Sequence, residues 1–240
     1  ARPDIVLHDL PDARAGRLRD LAPLARFVTL AEAASHGGMA PEPGTFAARL
    51  LQFTSGSTAR PKPVLLEPAT LAAGCCAIEA TLGIGRDSIA VHWLPLYHDM
   101  GLIGAVVQPL FSGATSVLLR PGIFIQRPQR WMELADRWRA TITSAPNFAF
   151  ERLCAAAEAG LPEGLELGRL RTVVFGGEPV LPQTVARLLG LFGPAGLRPE
   201  AIAPCYGMAE VTLLVSSGQS PAGPAFSDLN SHEPVANLGP

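Results

Sequence analysis

Short, uninterrupted apolar runs alternate with segments of helical spacing along most of this chain, and that alternation decides its fold class. The apolar runs predict strands over 5–7, 26–30 and 48–53, then over 88–94, 115–119, 140–144, 171–175 and near 201–203. Helical spacing falls over 70–82, 100–111, 128–139, 148–159 and 182–191. In the third of these, Trp131, Leu134, Ala135 and Trp138 recur on one face. A strand that is apolar on both sides must be covered on both sides, and helices between strands supply the crossovers that parallel pairing requires. The expected class is therefore α/β, with mainly parallel sheets covered by helices. Ligands in such sheets collect at the carboxyl ends of the strands, where loops meet helix N-termini. Two Pro/Gly-rich patches, 37–44 and 218–223, read as loops or boundaries. They suggest a first sheet portion over 1–50, a motif-bearing core over 51–217 and an exit segment over 218–240.

Composition removes several classes of function. Of 240 residues, 48% are hydrophobic and 17% charged, which provides for a core and argues against disorder. The 19 basic and 21 acidic residues form no run of either sign, so neither nucleic acid nor an acidic membrane surface is expected as the main partner. The stretch 88–119 has one carboxylate and no basic residue. However, Pro95, His98, Asp99, Gly101, Gly104 and Pro109 interrupt it too often for the roughly 20 apolar residues of a membrane span. Cys75, Cys76, Cys154 and Cys205 contain no CxxC pair, which predicts neither a disulfide framework nor a zinc site and fits a reducing, cytoplasmic setting. No secretory h-region opens the chain. Among the basic residues Lys62 is the only lysine.

That lysine closes a distinctive loop. The expected strand 48–53 runs into Thr54, Ser55, Gly56, Ser57, Thr58, Ala59, Arg60, Pro61 and Lys62. Hydroxyls and backbone N–H groups donate to anionic oxygens, Gly56 admits close approach of the backbone, and Lys62 adds a point charge. The pattern lacks the adjacent glycine and lysine of a GxxxxGK[ST] loop. It reads either as a phosphate cradle or as a polar surface turn.

Residues 52–62, Gln-Phe-Thr-Ser-Gly-Ser-Thr-Ala-Arg-Pro-Lys, resemble the phosphate loop of the adenylate-forming superfamily. Five further segments are similar to fatty acyl-AMP ligases within it. They are 92–104 (His-Trp-Leu-Pro-Leu-Tyr-His-Asp-Met-Gly-Leu-Ile-Gly), 124–131, 145–150 (Ala-Pro-Asn-Phe-Ala-Phe), and the pair Gly176-Gly177-Glu178-Pro179 and 206–213 (Tyr-Gly-Met-Ala-Glu-Val-Thr-Leu). They follow the family's order.

The resemblance implies ATP-dependent activation of a fatty acid to an acyl adenylate, with transfer to an acyl carrier protein. An acyl-CoA synthetase, or a non-catalytic nucleotide- or acyl-binding module, is the alternative. It implies that Thr54, Ser55, Gly56, Ser57, Thr58 and Lys62 hold the ATP phosphates. The adenine would lie between Gly177, Glu178 and Pro179 on one side and Tyr206, Gly207, Met208 and Ala209 on the other. Stacking on an aromatic face agrees with that placement. Glu210 is the implied Mg²⁺ ligand, and a phosphate-bridging hard cation prefers one or two carboxylates. His98, Asp99 and Asn147 are implied at the substrate carboxylate, where His98 would orient an already ionised nucleophile. Lys62, His98 and Glu210 form the implied catalytic set.

The chain departs from the family's pattern where Pro63 replaces a glycine, at Leu65-Leu66-Glu67-Pro68, and where Phe175 stands for an asparagine. Relatives also carry a ribose-binding aspartate and a lysine-bearing C-terminal domain downstream. Only Asp228 follows Glu210 as an aspartate here, in an unrelated context. The resemblance therefore implies the central part of a large N-terminal domain, catalytically crippled by itself.

Overall fold

The computed structural model describes residues 49–54 and 62–227, the stretches 5–8, 26–29 and 234–235, and the single positions Arg19 and Ser35. Ser55, Gly56, Ser57, Thr58, the patch 37–44 and Asp228 lie outside the described residues. The chain divides into two compact units, Ala1–Ala47 and Ala48–Pro240. In the first unit β1 (Ile5–His8) and β2 (Arg26–Thr29) pair in parallel.

The second unit begins with an antiparallel hairpin, β3 (Leu50–Thr54) and β4 (Lys62–Leu66), in which Thr54 and Lys62 are register partners. Helix α1 (Pro68–Leu82) follows, with Pro68 in its first turn and Gly83 as a left-handed C-cap. Five strands then run parallel: β5 (Ile89–His92), β6 (Thr115–Leu118), β7 (Ile142–Ala145), β8 (Thr172–Phe175) and β9 (Ile202–Gly207). β10 (Leu214–Ser217) adds to β9 antiparallel, giving a six-stranded sheet in the order β10-β9-β8-β7-β5-β6. A short antiparallel pair, β11 (Phe226–Ser227) and β12 (Pro234–Val235), completes the described strands.

The two faces of the central sheet differ in side-chain size, and this difference positions the site. One face carries Val91, Val173, Phe175 and Ile202 and buries the main core against α4 (Pro121–Gln126), α5 (Gln129–Arg137), α6 (Asn147–Ala157) and α7 (Pro182–Phe192). Trp93 stacks on Phe124 at 3.8 Å, Phe150 stacks on Phe175 at 3.8 Å, and Trp131 meets Trp93 edge-on. Burying the Trp131 ring requires a partner for its N–H. Nε1 donates to Thr143 Oγ1 at 2.7 Å, and that hydroxyl donates to the Val91 carbonyl at 2.6 Å.

Because successive strand residues alternate between faces, the opposite face carries Ala90, Ile142, Val174 and Ala203 as its apolar cluster. His92, Ser144 and Cys205 share that side by the same alternation. Most of these side chains are small, and they leave space beneath α1, α2 (Asp99–Leu102), a π-helical segment Ile103–Val107 and α3 (Gln108–Ser112).

The α/β class is as expected, while several elements differ in detail. The helix expected over 100–111 is interrupted by the π-helical segment, which an apolar pattern does not mark. Neither the strand at Lys62–Leu66 nor the strand at Leu214–Ser217 was expected, and the six-residue helix Pro121–Gln126 is too short to show a period. Ala140 falls in the turn after α5, so β7 starts at Ile142. No described helix is long and apolar enough to cross a membrane.

Candidate active site

Loops at the carboxyl ends of β5, β8 and β9, with Ser144 near the end of β7, converge on a cleft of about 830 Å³ within the second unit. Its mouth is polar. Thr54 and Lys62 line it from the hairpin, His98 and Asp99 from the start of α2, Gly177 from the loop after β8, and Tyr206, Gly207, Met208, Ala209 and Glu210 from β9 and the turn that follows. Its interior is mostly apolar and runs down the small-residue face past Gly104, Val174 and Ala90 to Ile84 and Ala114. A volume of this size suits a small-molecule site.

The hairpin sets the first end. Antiparallel pairing of Thr54 with Lys62 brings the two ends of the hydroxyl-rich loop together, so both flank one edge of the cleft. The turn Ala209–Val211 packs on β3 and β4, which carries the exposed Glu210 to the same side. Glu210 has no hydrogen bond or ion pair among the described residues.

That turn is held under backbone strain. Thr212, fully buried, sits at φ 77° and ψ −62°, a region costly for a β-branched residue. Its Oγ1 donates to the Thr70 carbonyl on α1 at 3.2 Å. Gly207 allows the return of the chain, since a Cβ there would lie 2.0 Å from the Leu213 carbonyl oxygen. Thr212 could not be singled out from the sequence, because its anchor is 142 residues away.

His98 caps α2 and is about half exposed. Its Nδ1 lies 2.7 Å from Asp99 Oδ1, which also accepts the Met100 N–H at 2.7 Å. Met100 N lies farther, 3.3 Å, from His98 Nδ1. The shorter geometry wins, so Nδ1 carries a proton donated to Asp99 and Nε2 is left for a ligand. The Asp99 hydrogen bond raises the His98 pKa against the opposing effect of burial. Burial works against the Asp99 carboxylate, but the His98 hydrogen bond, the His98 charge and the Met100 N–H together hold its pKa low.

The adenine-side residues divide. Gly177 and Tyr206 line the cleft, and Tyr206 is 61% exposed, so its aromatic side chain is accessible for stacking. Glu178 and Pro179 are exposed and do not line it. The Glu178 carboxylate instead accepts the Phe148 N–H.

Asn147 corrects the expectation more fully, for it does not line the cleft at all. It is buried at the start of α6, where Oδ1 accepts the Leu181 N–H at 3.0 Å. Its Nδ2 donates to Glu151 Oε1 at 3.0 Å and Thr184 Oγ1 at 3.1 Å. Asn147 thus fastens the loop after β8 to α6. Trp93 and Phe150 belong to the opposite core rather than to the cleft.

The sequence profile of the family described as AMP-binding enzyme matches residues 9–236. The chain is 42% identical over 167 residues to the medium-chain-fatty-acid–[acyl-carrier-protein] ligase JamA of Moorena producens, covering 70% of this chain and 28% of that protein. It is 37% identical over 220 residues to the 4-hydroxyphenylalkanoate adenylyltransferase of Mycobacterium marinum, covering 90% of this chain and 32% of that protein. The chain therefore spans about a third of the length of these curated relatives. The crystal structure of a fatty acyl-adenylate ligase from L. pneumophila, in complex with acyl adenylate and pyrophosphate, superposes with a TM-score of 0.74 at 29% identity, over 97% of this chain and 42% of that one. A profile match over nearly the whole chain, on a fold that gathers the loop lysine, the tyrosine turn and the histidine at one cleft, places this chain in the AMP-binding enzyme family.

Proposed function

We propose that the protein joins a fatty acid to ATP, forming an acyl adenylate and pyrophosphate, and passes the acyl group to the thiol of an acyl carrier protein. The observation that carries this reading is the continuity of one cleft, from a cationic, donor-rich mouth at Lys62 and Thr54 to an apolar interior on the small-residue face. ATP phosphates suit the mouth and an acyl chain suits the interior. The fatty-acid and carrier-protein terms in the name of JamA support the same substrate and acceptor. Four free thiols suit a cytoplasmic, reducing setting.

In this reading a carboxylate oxygen attacks the α-phosphorus, the bond from that phosphorus to the bridging oxygen breaks, and pyrophosphate leaves. The carboxylate is ionised at neutral pH and needs no base. His98 Nε2, in the protonated ring, donates to one carboxylate oxygen and aims the other. Lys62, with the hydroxyls of Thr54, Ser55, Ser57 and Thr58 and the backbone at Gly56, neutralises charge that grows on the leaving pyrophosphate. Tyr206 offers a stacking face to the adenine beside Gly177, and Gly207, Met208 and Ala209 shape the turn that presents it. Asp99 holds the His98 ring.

Glu210 would fit a Mg²⁺ that takes its other ligands from phosphate and water, because its carboxylate lines the cleft mouth and has no hydrogen bond or ion pair among the described residues. When bound there, the ion would supply charge neutralisation at the phosphates.

ATP–pyrophosphate exchange dependent on fatty acid tests the proposal. Lys62→Ala should lower the exchange rate by roughly 10²–10³, the usual loss for one preorganised charge stabiliser. A rate within about threefold of wild type would remove Lys62 from phosphate binding. Acyl transfer to a pantetheinylated carrier protein, compared with free CoA, identifies the acceptor.

A further inference from the structure

The inner wall of the cleft is not uniformly apolar. His92 ends β5 on the small-residue face and is 3% exposed. Its Nδ1 lies 3.0 Å from Ser144 Oγ on β7, and both residues line the cleft. Burial lowers the His92 pKa to about 4, so the ring is neutral at pH 7, with one nitrogen a donor and the other an acceptor. Nε2 has no hydrogen-bond partner among the described residues.

A second polar group lines the same wall. Gln108 is 1% exposed and lines the cleft from α3. Ser112 Oγ donates to the Gln108 backbone carbonyl at 2.9 Å, so toward the carboxamide it must act as acceptor. It accepts from Nε2 at 2.7 Å. This fixes the orientation of the amide and leaves Oε1 without a partner. Gln108 Oε1 is thus a buried acceptor left without a partner, which is unusual in a native interior, and His92 Nε2 on the same wall has no protein partner among the described residues.

We infer that the cleft selects acids whose tail carries a hydroxyl group, recognised by His92, which Ser144 holds in place. The inference rests on the acyl-activating reading of the cleft and specifies its substrate class. A hydroxyl is small and uncharged and both donates and accepts, as the unpaired groups require. The charged side chains lining the cleft, Lys62, Asp99 and Glu210, belong to its mouth, so an ionised tail would find no counter-charge on the inner wall. An unsubstituted tail would exclude water from His92 and leave its Nε2 unpaired. A site built around such groups discriminates against the analogue that lacks the partner.

The test uses carboxylic acids of equal length, unsubstituted or with one hydroxyl at successive carbons. Direct binding is measured by calorimetry, and turnover by ATP–pyrophosphate exchange. Wild type should prefer one hydroxyl position by about tenfold or more in binding, the value of one hydrogen bond. His92→Phe should lose that preference while still accepting the unsubstituted acid, and His92→Gln, which keeps a donor and an acceptor, should retain part of it. Ser144→Ala serves as a second removal should His92→Phe fold poorly. Equal binding and exchange for both acids, or a preference that survives His92→Phe and Ser144→Ala, would overturn the inference alone. Failure of every acid to bind or to support exchange would overturn it together with the acyl-activating reading.

Discussion

Between Asp99 and the mouth of the cleft, the tautomer of His98 is set by one 2.7 Å contact. Its pKa is raised by the Asp99 hydrogen bond, so the protonated, donor form of Nε2 persists toward neutral pH and weakens as pH rises through that raised value. Acid affinity in the proposed reaction should fall over the same window. Asp99→Asn removes both the hydrogen-bonded anion and the charge, so the fall should move to lower pH. The apparent KM for the fatty acid against pH, in wild type and variant, checks this; superimposable profiles would detach His98 from the carboxylate. The adjacent His98 and Asp99 could be paired by reading the chain. Asn147 could not be understood that way, because its partners Thr184 and Leu181 lie 37 and 34 residues away. Nor could the His92–Ser144 contact, which spans 52 residues.

At the scale of elements, α1 and the turn after β9 interlock. A Cβ on Gly74 would stand 2.5 Å from Thr212 Cβ and 2.6 Å from its Oγ1, and Thr212 is itself buried and already at positive φ. Glycine to alanine inside an exposed helix normally stabilises by up to about 1 kcal/mol. Here overpacking, costing about 1–3 kcal/mol, should win. Gly74→Ala should therefore lower stability in denaturant and also raise the KM for ATP, since the Glu210 turn has to shift. An alanine variant as stable as wild type would show that this turn yields freely. Strands flanked by clear turn signals were legible in the sequence. β4 was not, because Lys62 and Pro63 open it with polar and ring-constrained residues directly after a polar loop. β10 was not, because it is an antiparallel edge strand attached through an irregular register rather than a buried crossover strand. The π-helical segment in Ile103–Val107 changes hydrogen bonding without changing composition.

Across the whole molecule, unequal side-chain size on the two sheet faces produces both a packed core and a cavity. The apolar runs of β5, β7, β8 and β9 announced a doubly covered sheet. Which face would be left unfilled depended on register, which places Ala90 beside Ile142 and Val174 beside Ala203. The buried His92 on the unfilled face also ties stability to acid. Its folded pKa of about 4 lies below the ordinary 6.5, so between these values the unfolded chain binds the extra proton. Its contribution is present above pH 6.5 and lost as pH falls toward 4, amounting to about 3 kcal/mol. Unfolding free energies from pH 7 to pH 4 should fall more steeply in wild type than in His92→Phe. Equal slopes would mean that the ring is hydrated.

The central claim is that the small-residue face receives the acyl chain of an activated acid. Ala90, 4% exposed and part of the cleft wall, is the position at which to test it. Ala90→Leu adds three carbons at the cleft wall, so the tail should lose room, and thermal unfolding of the variant confirms that the fold is retained. The decisive measurement is acid-dependent ATP–pyrophosphate exchange as a function of acyl chain length, for wild type and Ala90→Leu. Exchange with short acids should stay within about threefold of wild type while exchange with long acids falls by about tenfold or more. An unchanged chain-length profile, or no acid-dependent exchange at any length, would contradict the claim.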